Sequence, residues 1–136
     1  MRLSLLLFLL LLSPRAFAQD GVEVFRAGLQ AFQANGPDAL LNTWYNQGEE
    51  AITAPLRERL QREAQALGDV IGVEVFAPHS LGRHVQRLYG VIYFRRRPLW
   101  LRAEYYRIDG RDGFISLEFS RTADDILPLQ FGVSSH

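Results

Sequence analysis

The chain has 136 residues, no cysteine, and fifteen acidic residues that balance fifteen basic residues, all of them arginine. This length is enough for a single domain with one hydrophobic core, and the lack of cysteine excludes stabilisation by disulfide bonds. The neutral charge balance argues against non-specific binding to nucleic acid, which requires a basic surface.

Residues 1–18 have the features of a secretory signal peptide. Arg2 provides a basic start, and residues 3–12 form an apolar run shorter than the roughly 20 residues of a transmembrane helix. Ala16–Ala18 is a small-x-small cleavage site, so we expect cleavage after Ala18 and a bacterial protein that is periplasmic or secreted. The alternative is an uncleaved N-terminal anchor. Cleavage leaves thirteen arginines against fifteen acidic residues, a net charge near −2, and no expected membrane span.

Three helices are predicted in the first half of the mature chain. Residues 20–35 carry apolar side chains three or four positions apart, which indicates an amphipathic helix. Pro37 begins a short second helix, and a third is predicted to follow the N-cap residue Thr53. Trp44 and Tyr45 lie on the apolar side of the second helix, where they are either core residues or the lining of a ligand pocket.

The second half of the chain predicts an antiparallel sheet of four strands. Residues 70–76 alternate apolar and polar side chains, as expected for a strand with one buried face, and a loop follows them. Residues 85–121 contain three more alternating runs, separated by an arginine-rich tip and by a turn at residues 109–111. This pattern is typical of a β-meander.

The first hairpin of the meander is predicted to turn at residues 96–97. This loop places Phe94 opposite Leu99 and makes one face of the hairpin almost wholly apolar. The three consecutive arginines at the tip are either a solvated end that discourages edge pairing or a phosphate-binding patch.

The second hairpin is predicted to pair Tyr105 with Ile115. The same register sets Arg102 opposite Glu118, which is a favourable cross-strand pair. A one-residue slip would expose the apolar side chains of the last strand.

The order of elements predicts an α+β fold in which N-terminal helices pack on a curved four-stranded antiparallel sheet. The stretch RLYGVIYFRRRPLWLRAEYYRIDGRDGFISLEFS resembles the closing strands of small exported bacterial members of the NTF2-like superfamily. The resemblance implies a cone-shaped, cystatin-like roll over residues 19–121, followed by a C-terminal tail at 122–136. That superfamily includes cofactor-independent isomerases and dehydratases as well as members that only bind, and no catalytic motif is matched here.

One enzymatic arrangement follows from the predicted register. Extending the first hairpin places His84 opposite Asp109, where the carboxylate would orient the imidazole as a general base. Tyr105 lies on the same face and would donate to a developing oxyanion. Neither a metal site nor a cofactor-binding motif is indicated by the sequence.

The outer face of the meander combines aromatic and charged side chains, as protein interfaces do. NTF2-like domains commonly pair through this side of the sheet, so the resemblance also implies a homodimer. The predicted interface residues are Tyr89, Tyr93, Trp100, Arg102, Tyr106, Phe114 and Glu118. The alternative is that the tail covers this face through Ile126, Leu127, Leu129 and Phe131.

The sequence therefore favours an exported, non-enzymatic binding module without a cofactor, whose partner is a small apolar ligand or an envelope protein rather than nucleic acid. The alternative is a cofactor-independent isomerase, dehydratase or hydrolase that uses His84 and Asp109 in the cone pocket.

The signal peptide can be tested directly. When the full chain is expressed in a bacterial host, we expect the purified protein to begin at Gln19, because Ala16 and Ala18 fit the peptidase site. Intact mass and N-terminal sequencing measure this, and a product that retains residues 1–18 would contradict the prediction.

Overall fold

The computed structural model describes residues 15–46 and 49–129, with the backbone alone for residues 15–20. The apolar run of the predicted signal peptide and the end of the tail, with Phe131, lie outside the described residues. In the described ranges no helix is both long enough and apolar enough to cross a membrane. The first helix begins at Arg15, so the expected cleavage site after Ala18 falls within its backbone.

Three helices precede the sheet, as predicted: α1 at Arg15–Asn35, α2 at Pro37–Trp44 and α3 at Glu50–Leu67. Gly36 joins the first two with a φ of 89°, a left-handed conformation that suits glycine, and α2 then begins at the proline. The predicted N-cap role of Thr53 is wrong, because its N–H bonds to the Glu49 carbonyl at 2.9 Å as an ordinary helical residue.

The predicted α+β fold is confirmed, with an antiparallel sheet in the order β1-β3-β4-β5. A short strand in the predicted loop, β2, also pairs with β3 and makes five strands rather than four. The strand bounds are Val70–Val75 (β1), His79–Leu81 (β2), Val85–Phe94 (β3), Pro98–Ile108 (β4) and Arg111–Ser120 (β5).

The first hairpin is shifted by two residues from its predicted register. Leu99 lies opposite Ile92 rather than Phe94, so the predicted two-residue loop is wrong. A shift of two preserves the side-chain alternation, and the predicted apolar face is still the buried one. The longer tip reaches α3, where the Arg96 guanidinium donates to the Ala66 carbonyl at 2.6 Å.

The second hairpin keeps its predicted register only as far as Glu104. Arg102 lies opposite Glu118 as predicted, but a β-bulge at Ile115 then places Phe114 opposite Tyr105. The bulge reverses the two predicted orientations, because Phe114 is buried on the inner face and Ile115 is 56% exposed. Phe114 is therefore not an outer-face residue.

The helices pack on the inner face of the sheet around a cluster of aromatic rings. Trp44 stacks on Phe25 at a centroid distance of 5.0 Å and contacts Phe114 at 4.9 Å. Its indole Nε1 donates to the Val24 carbonyl at 2.9 Å, so its polar atom is satisfied inside the core. One indole ring thus joins α1, α2 and β5.

A substitution at Gly28 tests this packing. A Cβ atom added there would overlap the Trp44 indole ring, so we expect Gly28→Ala to lower the free energy of unfolding by about 1–3 kcal/mol. The gain in helix propensity from glycine to alanine, about 1 kcal/mol, is smaller than the expected cost of displacing the indole ring. Chemical denaturation measures the change.

The matched control is Gly113→Ala, where an added Cβ atom meets nothing within 4 Å. We expect a change within about 0.5 kcal/mol there. Equal effects of the two substitutions would show that the contact with the indole ring does not restrict the first position.

Candidate functional site

The predicted catalytic pair is not formed. Because of the register shift, His84 lies beside Arg107, and its Nδ1 is 3.0 Å from the Arg107 carbonyl oxygen. Asp109 lies two residues further along, in the β4–β5 turn, with a φ of 50° that reflects its role in that turn. The arrangement of imidazole and carboxylate expected from the sequence is therefore wrong.

Tyr105, the third catalytic candidate, contacts a different carboxylate. Its buried hydroxyl donates to Asp112, and both residues line a pocket of about 220 Å³ together with Trp44 and Glu49. A tyrosine hydroxyl bonded to a carboxylate is positioned as a donor, but the described lining of this pocket has no histidine or arginine. These groups provide a hydroxyl donor and carboxylate acceptors side by side.

The two candidate pocket residues, Trp44 at the end of α2 and Tyr45 directly after it, are both buried in the core. Trp44 also lines the pocket at Tyr105, and Tyr45 lines a second pocket of about 360 Å³ with Asn42 and Glu50. The Tyr45 hydroxyl is buried without a hydrogen-bond partner among the described residues. Burial, and then the charge of Glu49, raise the pKa of Tyr45 to about 12.

The aromatic residues predicted to form an interface are already in contact with neighbouring side chains. Trp100 stacks on Phe76 at 6.2 Å, and Tyr89, only 2% exposed, meets the edge of His79 at 5.5 Å. Phe76 directly follows β1 and His79 begins β2, so both contacts come from the part of the chain that pairs with β3 at the edge of the sheet. Tyr106 is half-buried.

Polar pairs occupy much of the rest of this outer face. Tyr93 donates to Glu74 at 2.5 Å, and this hydrogen bond, followed by burial, raises the pKa of Tyr93. Arg102 forms an ion pair with Glu118. Three residues of the predicted interface, Tyr93, Arg102 and Glu118, thus already have charged partners within the chain.

The tail covers part of the outer face. Ile126 follows a short 3-10 helix, is 3% exposed, and accepts a hydrogen bond from Arg102 at 3.2 Å through its carbonyl. Leu129, by contrast, is 90% exposed. The tail is therefore held against the sheet as far as Ile126.

A further pocket, which we call the arginine pocket, lies where α3 crosses the end of the sheet. Its volume is about 530 Å³. It is lined by Arg59, Arg62, Glu63, Leu99, Phe119, Ser120 and Arg121. Three guanidinium groups and one carboxylate give the lining a formal charge of +2, in a chain whose fifteen basic and fifteen acidic residues balance.

Two of the three guanidinium groups are held in place by neighbours. The Arg59 guanidinium lies 4.5 Å from the centroid of the Phe119 ring, a cation–π contact that orients it. Arg121 donates through Nε to Glu63 at 2.6 Å. Arg62 is held less tightly, because its pair with Glu58 is longer, at 3.6 Å, and mostly exposed.

The arginine pocket places positive charge beside apolar surface. The accessible apolar surface comes from Phe119, which is half-buried under a guanidinium group, whereas Leu99 is fully buried. Such a site is suited to an anion that carries an apolar part, since guanidinium groups form strong, directional hydrogen bonds to oxyanions. Ser120, also in the lining, donates to Asp125 at 2.7 Å.

Sequence reasoning missed this site. Arg59 and Arg62 have the sequence pattern of a solvated helix face, and Arg121 directly follows the last strand, 58 positions beyond its partner Glu63. The spacing of Arg59 and Arg62 was the available signal, but it does not show what the helix crosses.

No group of three metal-binding side chains is found in the part of the chain that the structure describes. Comparisons with models of known families, with curated proteins and with solved structures find no match.

Tyr45→Phe tests the unpaired hydroxyl. We expect the free energy of unfolding at pH 7 to stay equal or to rise, because the variant no longer buries a hydroxyl without a hydrogen-bond partner among the described residues. In the parent protein the raised pKa of Tyr45 means that the folded state resists ionisation of this hydroxyl. The free energy of unfolding should therefore be unaffected by this group below pH 10 and should fall by roughly 2–3 kcal/mol as the pH rises towards 12.

This alkaline loss should be smaller in the variant, as measured by denaturation at several pH values. Tyr93→Phe is the control, because it removes a hydroxyl that does have a partner, Glu74, and should destabilise at pH 7. A marked loss of stability in Tyr45→Phe at pH 7 would show that the hydroxyl has a partner.

Proposed function

We propose that the mature chain is an exported, non-enzymatic binding module that holds an anionic ligand with an apolar part in the arginine pocket. The observation that carries the proposal is the convergence of Arg59, Arg62 and Arg121 above Leu99 and Phe119. In a chain whose net charge is near −2, a concave site with a lining of +2 is a specific arrangement rather than an average property of the surface.

The geometry of the pocket favours binding because two of its arginine side chains are already held in place, which lowers the entropy lost when a ligand binds. Arg59 is held over the Phe119 ring and Arg121 is held by Glu63, so neither long side chain must be immobilised entirely by the ligand. A guanidinium group presents its donors in a planar fork that matches the oxygens of a carboxylate, sulfate or phosphate.

The described geometry favours this site over the apolar cone interior expected from the sequence. Phe25, Trp44 and Phe114 fill the space between the helices and the sheet. An apolar ligand there would have to displace core side chains, whose close packing resists such a change.

An enzymatic role has less support. His84 and Asp109 are not opposite each other, and Tyr105 donates to Asp112 in a pocket whose described lining offers no imidazole. We therefore assign the pocket at Tyr105 no reaction.

Export to the periplasm, membership of the NTF2-like superfamily and pairing of two copies through the outer face remain part of the proposal. Tyr93, Trp100 and Tyr106 keep some exposed surface on that face, which is consistent with a second copy or an envelope protein as partner. Native mass spectrometry of the exported protein reports the subunit count and any retained ligand together.

Binding can be tested with anilinonaphthalene sulfonate, a fluorescent anion with an apolar body. We expect the folded protein to bind it and the double variant Arg59→Gln/Arg121→Gln to bind it at least about 10-fold more weakly, because charged hydrogen bonds contribute about 1.5–3 kcal/mol each. Fluorescence titration measures the affinity, and circular dichroism verifies that the variant is folded.

The control is Arg26→Gln, which removes an exposed arginine that pairs with Glu23 on α1. It should leave the affinity unchanged. Absence of binding by the parent protein, or an equal loss in the control, would refute the assignment of an anion site to this pocket.

A further inference from the structure

The arginine pocket already contains one carboxylate, that of Glu63. Its side chain extends from α3 and accepts a hydrogen bond from Arg121 Nε at 2.6 Å. Three quarters of the Glu63 side chain is shielded from solvent, with 25% relative exposure, whereas Arg121 is 41% exposed. The pair therefore lies in the wall of the pocket rather than out in water, where an ion pair would contribute little.

The other acidic residue beside these arginines is placed differently. Glu58 pairs with Arg62 at 3.6 Å, one helical turn apart, and its side chain is 73% exposed. It does not line the pocket. Two glutamates of the same helix thus carry the same charge, but only Glu63 lies where a ligand oxygen would lie.

The position of Glu63 identifies the kind of anion that the pocket accommodates. A carboxylate is planar and carries one charge, and Arg121 already binds a carboxylate of this shape beside Phe119 and Leu99. A ligand carboxylate on Arg121 must displace that of Glu63, and its apolar body would then lie towards Phe119. Arg59, held over the same ring, would meet the charge from the other side.

We propose that the ligand is an organic monocarboxylate with an apolar body, and that Glu63 is a built-in competitor that occupies Arg121 in the empty pocket. This inference rests on the proposed function, because it requires the arginine pocket to bind anions. The consequence is selectivity, because the Glu63 carboxylate in the pocket wall repels an anion with two charges more strongly than an anion with one charge.

The inference predicts a gain of affinity from the loss of a charged residue. Glu63→Gln removes the competing charge and frees Arg121, so we expect octanoate to bind about 5-fold more tightly than to the parent protein. Glu58→Gln makes the same change of charge one and a half turns away on α3, outside the pocket, and should change the affinity less than about 2-fold. Isothermal titration calorimetry on the exported protein measures both.

The chemical class is tested with three further probes. Octanol has the same chain without the charge, octyl sulfate has a different anionic head, and inorganic phosphate has charge without a chain. We expect octanoate to bind more tightly than each of them in the parent protein. Tighter binding of octyl sulfate or phosphate would overturn the assignment of a carboxylate, and equal binding of octanol would show that the charge is not recognised.

The outcomes separate the two proposals. If the parent protein binds none of the anions and Glu63→Gln binds none either, the pocket is not an anion site and both proposals fail. If the parent protein binds octanoate but Glu63→Gln binds it no more tightly than Glu58→Gln does, only the role of Glu63 as competitor is overturned. Thermal unfolding of each variant shows whether the fold is retained.

Discussion

The packing of a single indole ring holds the helices against the sheet. Trp44, at the end of α2, stacks on Phe25 of α1 and contacts Phe114 of β5, and its Nε1 bonds to the Val24 carbonyl. The ring fits because Gly28 leaves room for it. Burial of an aromatic ring with its polar atom satisfied combines a large hydrophobic contribution with a fixed orientation. The position of α2 depends on this contact.

The bulge at Ile115 allows the sheet to take part in that packing. Without the extra residue, strict alternation would turn Phe114 away from the helices and remove one of the rings that Trp44 contacts. The other edge strand is also irregular at an exposed isoleucine, Ile71 of β1. Bulges on both edge strands interrupt the flat row of free backbone groups that would otherwise pair with another chain.

The arginine pocket follows from where α3 ends relative to the sheet. The hairpin tip is fastened to the last turn of α3 by backbone and guanidinium contacts, including Arg96 to Ala66. This attachment positions the preceding turns of the helix over Leu99 and Phe119 and sets Glu63 beside Arg121. The longer loop that shifts the hairpin register is therefore also what allows the tip to reach the helix.

The sequence by itself determined the α+β class, three helices, the main strands and which faces of β3 and β4 are buried, because these depend on local periodicity and on turn residues. The tertiary structure alone decided the two-residue shift that separates His84 from Asp109, and the bulge that turns Phe114 inward. It also brought Arg121 to Glu63 across 58 positions. A register shift of two leaves the alternation unchanged, a bulge is stabilised by the packing it permits, and a pocket between distant segments has no local pattern. Each of these features depends on contacts between elements, which periodicity along the chain does not encode.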